Sequence, residues 1–277
     1  MGWLVFTNLY VALCGAALTA TTYTLLGWPV RIDAAVALVF WATLVVYNLD
    51  RLVEPSPGDS PHERWVARRR RPLWGITALA AIGCFAAACG LSVQARWSLL
   101  LPGAAALGYC VPALPMRTQG HWRLRRLKEV PGAKLLLIGA VWTYATAVLP
   151  MLETDASFTH PSAAILLLGR LLFILAVALP FDIPDMARDR ASGIVTLPQS
   201  LGVAGARRVA LGLTAGFMAC AVLHPWPAAA ALLATGGVTA GMLLAMHEKH
   251  GVIYYEVALD GLLLVQSALL IALTPRL

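Results

Sequence analysis

Three carboxylates stand at i, i+3 and i+7 in Asp182-Ile-Pro-Asp185-Met-Ala-Arg-Asp189, directly after an apolar run long enough to cross a bilayer. On a helix that spacing confines them to an arc of roughly sixty degrees. Acids so close repel one another unless a cation lies among them. Magnesium takes one or two carboxylates together with substrate phosphates. Asp182, Asp185 and Asp189 are therefore candidate ligands for a Mg²⁺ ion that orients a phosphorylated ligand. The competing reading is a capped helix, with Asp182 as N-cap, Pro184 in the first turn and Asp185 at N3. Capping accounts for one or two of the acids and leaves the third unexplained.

A second polar cluster closes another apolar run: Tyr47-Asn48-Leu49-Asp50-Arg51-Leu52-Val53-Glu54. Asp50 and Glu54 share a helix face and are candidate ligands for a second cation; paired to Arg51 or Arg64 they would instead be an ordinary helix end. The stretch 113–130 supplies Arg117, Arg123, Arg125, Arg126 and Lys128, and Lys134 follows. Guanidinium forks and ammonium groups suit diphosphate oxygens. Lys128 and Lys134 are thus candidate substrate-binding residues, with Asn48, Arg51 and Arg190 beside the two acidic clusters. The run Arg68–Arg71 reads as topology or lipid contact.

Charges inside a membrane cost about 2.5–3.5 kcal/mol on insertion scales and mark functional candidates. Two qualify. Asp260, on the same face as Glu256, is a candidate general base or acceptor-binding group. Arg170 either serves function or forms an ion pair with an acid that fixes helix packing. His247 and His250 give a weak metal pattern that reads as solvated loop.

The elements that must position these residues are helices. Of 277 residues, 59% are hydrophobic and 13% charged, and mean hydropathy is +0.73. That composition excludes a soluble domain and implies a polytopic membrane protein. The net charge of +7 does not point to nucleic acid, because the basic residues sit in short loops between apolar runs. Cys14, Cys84, Cys89, Cys110 and Cys220 lie inside apolar segments without ligand spacing and read as packing residues. The first apolar run lacks a basic leader and is expected to stay as a membrane helix.

Nine apolar segments meet the length of a span: roughly 4–26, 33–50, 73–91, 97–115, 131–150, 162–181, 207–224, 228–246 and 256–274. The fourth is interrupted by Pro102, Pro112 and Pro115. The segments 51–73, 113–130, 183–208 and 247–255 hold sixteen of the twenty-one Lys and Arg residues. By the positive-inside rule they are cytoplasmic, which places the N-terminus and both acidic clusters in the cytoplasm and the C-terminus outside.

The residues after Asp189 carry a resemblance. The stretch DIPDMARDRASGIVTLPQSLG resembles the second aspartate-rich motif of the UbiA superfamily of intramembrane prenyltransferases, a DxxDxxxD followed by G-x-x-T-L-P-x-x-L-G. The likeness extends over the whole chain through nine helices with cytoplasmic loops after the second, fourth and sixth. It implies one all-α domain over 1–277, a bundle of about nine transmembrane helices around a central cavity. Its mouth would bind Mg²⁺ and an isoprenoid diphosphate, and its interior a prenyl chain and a lipophilic acceptor. By that match Asp182, Asp185 and Asp189 are metal ligands. The first motif, usually N-D-x-x-D-x-x-x-D, is incomplete: aligned on Asn48, the acid positions hold Leu49, Leu52 and Ser56. The Y-x-x-x-K motif has Leu124 where the tyrosine belongs, ahead of Lys128.

The function this implies is Mg²⁺-dependent prenyl transfer from an isoprenoid diphosphate to a lipophilic acceptor, an aromatic one among the candidates, within the membrane. Asp182, Asp185, Asp50 and Asp260 are its catalytic candidates. A terpene cyclase of the same superfamily and a non-enzymatic ion or lipid transporter are the alternatives. Membrane lipids are the other expected partners.

Overall fold

In the computed structural model the chain is all-α apart from one short hairpin. The structure describes residues 2–53, 61–118, 121–130, 132–154, 156–184, 186, 195–246 and 253–274. Glu54, Asp185, Asp189, Arg190, His247 and His250 lie outside the described residues.

The helices are α1 (Gly2–Phe6), α2 (Leu9–Leu25), α3 (Ala34–Val53), α4 (Pro61–Arg68), α5 (Arg70–Cys89), α6 (Val93–Ser98) and α7 (Leu100–Cys110). The hairpin of β1 (Leu114–Thr118) and β2 (His121–Arg125) follows. Then come α8 (Ala133–Glu153), α9 (Pro161–Pro184), α10 (Leu197–Ala221), α11 (Ala228–Ala245) and α12 (Tyr254–Leu273). Among the described residues, α3, α5, α8, α9, α11 and α12 are long and apolar enough to cross a bilayer, and α2 is a shorter apolar helix. The chain is a multi-pass integral membrane protein.

Boundaries follow the local sequence. Asp33 Oδ1 accepts from the Ala35 and Val36 amides at 3.1 and 3.2 Å, capping α3, while its Oδ2 accepts from the Tyr23 hydroxyl at 2.6 Å. That one side chain ties the end of α2 to the start of α3. Gly202, at φ 68°, breaks α10 after its first turn.

The helices close into a ring. From α7 the contacts run through α8, α9, α10 and α11 to α12, which returns to α2, and α2 packs on α3, which meets α7. Helix α5 lies outside this ring against α3, and Gly83 permits the approach: a Cβ there would stand 2.6 Å from the Trp41 ring. Leu79, Ile82 and Phe85 form an exposed stripe on α5, a face that only lipid would cover. The main core joins Cys14 and Leu18 of α2 to Phe173 and Ile174 of α9, Phe217 of α10, Leu232 of α11 and Leu262 of α12.

Two expectations are corrected. The segment 97–115 is no single helix: a turn residue, Leu99, separates α6 from α7, and α7 ends at Cys110. Asp182 caps no helix, because its backbone is helical (φ −75°, ψ −12°) and α9 runs through it. Its carboxylate instead meets Lys134 Nζ at 2.7 Å.

Candidate functional site

The ends of α3 and α9 and the start of α8 carry the acids and bases singled out above. Asp50 lies three residues from the end of α3 and Asp182 in the last turn of α9. The chain between β2 and α8 makes a tight 3₁₀ turn over Leu127–Glu129, and Gly132, at φ 74°, redirects it into α8. These two bends aim two ammonium groups inward. Lys128 Nζ meets Asp50 Oδ1 at 2.7 Å, and Lys134 Nζ meets Asp182 Oδ1 at 2.7 Å. Lys128 and Asp182 are both buried, 8% and 5% exposed, so both pairs are shielded from screening.

Tyr109, near the end of α7, stands among these groups. Lys128 Nζ lies 5.4 Å from its ring centre, and the charges of both Asp50 and Asp182 act on its hydroxyl. Tyr47 of α3 extends the set, feeling Asp50 on one side and Asp260 on the other. Asp260 also acts on Tyr10 and Cys14 of α2, and the Tyr10 hydroxyl donates to the Val257 carbonyl of α12 at 2.9 Å. Neither tyrosine was among the candidates. Their signal was weak: Tyr109 is the one aromatic residue in the aliphatic run Leu100–Cys110, just before the basic stretch.

The remaining candidates go elsewhere. Asn48 is 1% exposed, and its Oδ1 accepts from Asn8 Nδ2 at 2.9 Å, pinning the left-handed turn at Asn8 (φ 61°) between α1 and α2. Arg51 pairs with Glu256 at 3.7 Å, and the same carboxylate oxygen meets His62 Nδ1 at 3.0 Å. His62 is 3% exposed and stacks on Phe6 with ring centres 4.7 Å apart. This cluster binds α1, α3, α4 and α12 together, and its histidine gave no sequence signal. Arg125 and Arg126 fold back on Glu129 at 3.8 and 3.2 Å. Among the described residues Arg170 meets no acid: it donates to the Thr22 hydroxyl at 2.8 Å, which corrects the expectation of an ion pair.

Gln199 of the Thr-Leu-Pro segment donates to the Met186 carbonyl at 3.2 Å and Thr196 precedes α10 with Pro198 in its first turn. The motif thereby holds the chain after Asp182 against the start of α10.

For a magnesium ion the donor set divides. Asp182 is a buried carboxylate already facing a cation, the chemistry a metal site needs. The α3 side offers less, since Asn48 is turned to Asn8. Among the described residues no three His, Cys, Asp or Glu side chains converge to hold a metal.

No family model matches the chain, and no curated protein matches it in sequence. Solved structures do match. A UbiA homologue from Aeropyrum pernix K1 superposes with a TM-score of 0.65 at 17% identity, over 95% of this chain and 96% of that one. A UbiA homologue from Archaeoglobus fulgidus, bound to GPP and Mg²⁺, gives 0.66 at 10% identity over 100% of both. This is the UbiA fold. A digeranylgeranylglyceryl phosphate synthase shares it at 0.56 and 12% identity, over 99% of this chain and 98% of that one. The superposition runs from end to end, so the UbiA fold takes in α1 through α12.

Proposed function

We propose that this chain is a Mg²⁺-dependent prenyltransferase of the UbiA type, a single domain over 1–277. It moves a prenyl group from an isoprenoid diphosphate to a lipophilic acceptor within the membrane. The observation that carries this reading is the pair of buried Lys–Asp bridges, Lys128–Asp50 and Lys134–Asp182, at one end of a helical ring. Both lysines suit diphosphate oxygens, and the matching fold of a homologue bound to GPP and Mg²⁺ supports the ligand class.

Asp182, with Asp185 and Asp189, would hold the metal, which when bound supplies positive charge against the departing diphosphate. Lys128 and Lys134 bind the diphosphate, with Arg190 in support. Asp50 holds Lys128 in place. The allylic C–O bond breaks with its electron pair leaving on the diphosphate, and an electron-rich atom of the acceptor takes the prenyl carbon. The acceptor's proton passes to Asp260. Apolar walls keep water from the cation. The Asp182 end is cytoplasmic, with the N-terminus, and the C-terminus lies outside.

The test is diphosphate release from geranylgeranyl diphosphate by the purified chain with Mg²⁺. Release is expected, and Asp182→Ala and Lys134→Ala should each reduce it by on the order of a hundredfold. No release with any acceptor tried would defeat the enzyme reading. Release that survives Asp182→Ala would defeat the site.

A further inference from the structure

Arg170 lies twelve residues before Asp182 on α9, about 18 Å along the helix and towards the opposite end of the ring. It is 3% exposed. Its Nη2 donates to the Thr22 hydroxyl, itself committed to the Thr146 and Leu18 carbonyls at 2.7 and 2.9 Å, and its Nη1 has no partner. A guanidinium does not shed its proton to escape burial. A desolvated cation with only a hydroxyl beside it is a costly arrangement unless an anion completes it.

The missing partner has a place. Arg170 lines a half-open pocket with Gln266 and His224, walled by Leu25, Leu166 and Phe217. Gln266 is 2% exposed and its Oε1 likewise has no partner. Turning that amide about its last bond presents an N–H donor instead. Burial and the neighbouring Arg170 hold the His224 imidazole below its ordinary pKa, so it is neutral and offers one N–H. The pocket's enclosed centre is small, which favours a monatomic anion over a phosphate or carboxylate headgroup.

We propose that Arg170, Gln266 and His224 form a binding site for one small inorganic anion of the chloride class. The anion neutralises Arg170 and ties α9 to the end of α10 and to α12. The site stands apart from the Lys–Asp bridges and does not depend on the reaction assigned to them.

Equilibrium binding of radioactive chloride to the purified full chain tests this directly. Wild type should bind one chloride per chain, and Arg170→Met should weaken it by on the order of a hundredfold. Gln266→Leu, which keeps the cation, should weaken it roughly tenfold and serves if Arg170→Met fails to fold. Thermal melts should show a Tm that rises with potassium chloride but not with potassium gluconate at equal ionic strength, in wild type alone. Absence of bound chloride in wild type overturns the proposal, as does an affinity unchanged in the folded variants. So does an anionic lipid retained by wild type and lost from Arg170→Met in place of chloride.

Discussion

Removing the ammonium of Lys128 isolates what its bridge to Asp50 contributes. The pair is 2.7 Å apart, with side chains 11% and 21% exposed, between a surface pair and a fully buried one. Surface pairs contribute about 0–1 kcal/mol, whereas breaking a buried one costs about 3–5 kcal/mol, because the survivor stays desolvated and unpaired. Lys128→Met should therefore destabilise by about 2 kcal/mol, part of it the lost contact with the Tyr109 ring. Asp50→Asn should cost a similar amount by removing the carboxylate charge that the ammonium meets at 2.7 Å. In the double variant neither charge remains, so its loss should fall short of the two single losses together by about 1–2 kcal/mol. Thermal or denaturant unfolding of all four proteins in one detergent gives the cycle. Coupling below about 0.5 kcal/mol would refute the reasoning, since losses that simply add mean that neither charge leans on the other.

Two further substitutions probe how the ring is held. Gly83→Ala should destabilise by about 1–3 kcal/mol, because the new Cβ would stand 2.6 Å from the Trp41 ring at the α3–α5 crossing. Gly75→Ala on the same helix meets nothing within 4 Å and should be neutral or slightly stabilising in the same melts. Asp33→Ala should cost about 2–3 kcal/mol, removing the α3 cap and the partner of the buried Tyr23 hydroxyl. Asp33→Asn should recover most of that in thermal unfolding, because it keeps the capping oxygen.

The parts legible in the sequence were those set by contiguous chain. Runs of about twenty apolar residues announce helices such as α9 and α11, and the acids at the end of α9 announce a charged mouth. The bridge from Lys128 to Asp50 spans 78 positions, and that from His62 to Glu256 spans 194. Such partners are chosen by how helices close into a ring, which no local pattern encodes. Tyr109 was hidden because an aromatic residue at the end of an apolar helix looks like any other packing residue. The hairpin of β1 and β2 was hidden by its charge: with Arg117, Arg123 and Arg125 in ten residues it reads as loop, yet its ladder pairs Leu114 with Arg125 and Met116 with Arg123. Arg170 shows the opposite case. Its cost in a membrane is visible from sequence, but only the structure shows that its Nη1 has no partner among the described residues.

The incomplete first motif gains a physical meaning from the bridges. A site built from two full acidic motifs gathers many carboxylates that repel one another until metal arrives. Here Asp50 and Asp182 each already have a neutralising ammonium, so the fold tolerates them buried with no ion present. On the proposed reading, binding is then an exchange of partners. Lys128 and Lys134 swing to the diphosphate oxygens, and the freed Asp182 carboxylate turns to the cation carried in with them. Each group leaves one charged contact for another, which spares most of the desolvation that two bare charges would require. A lysine is bound to the chain, whereas a metal ion must be recruited. The Lys128–Asp50 pair therefore keeps one ammonium tethered beside the end of α3.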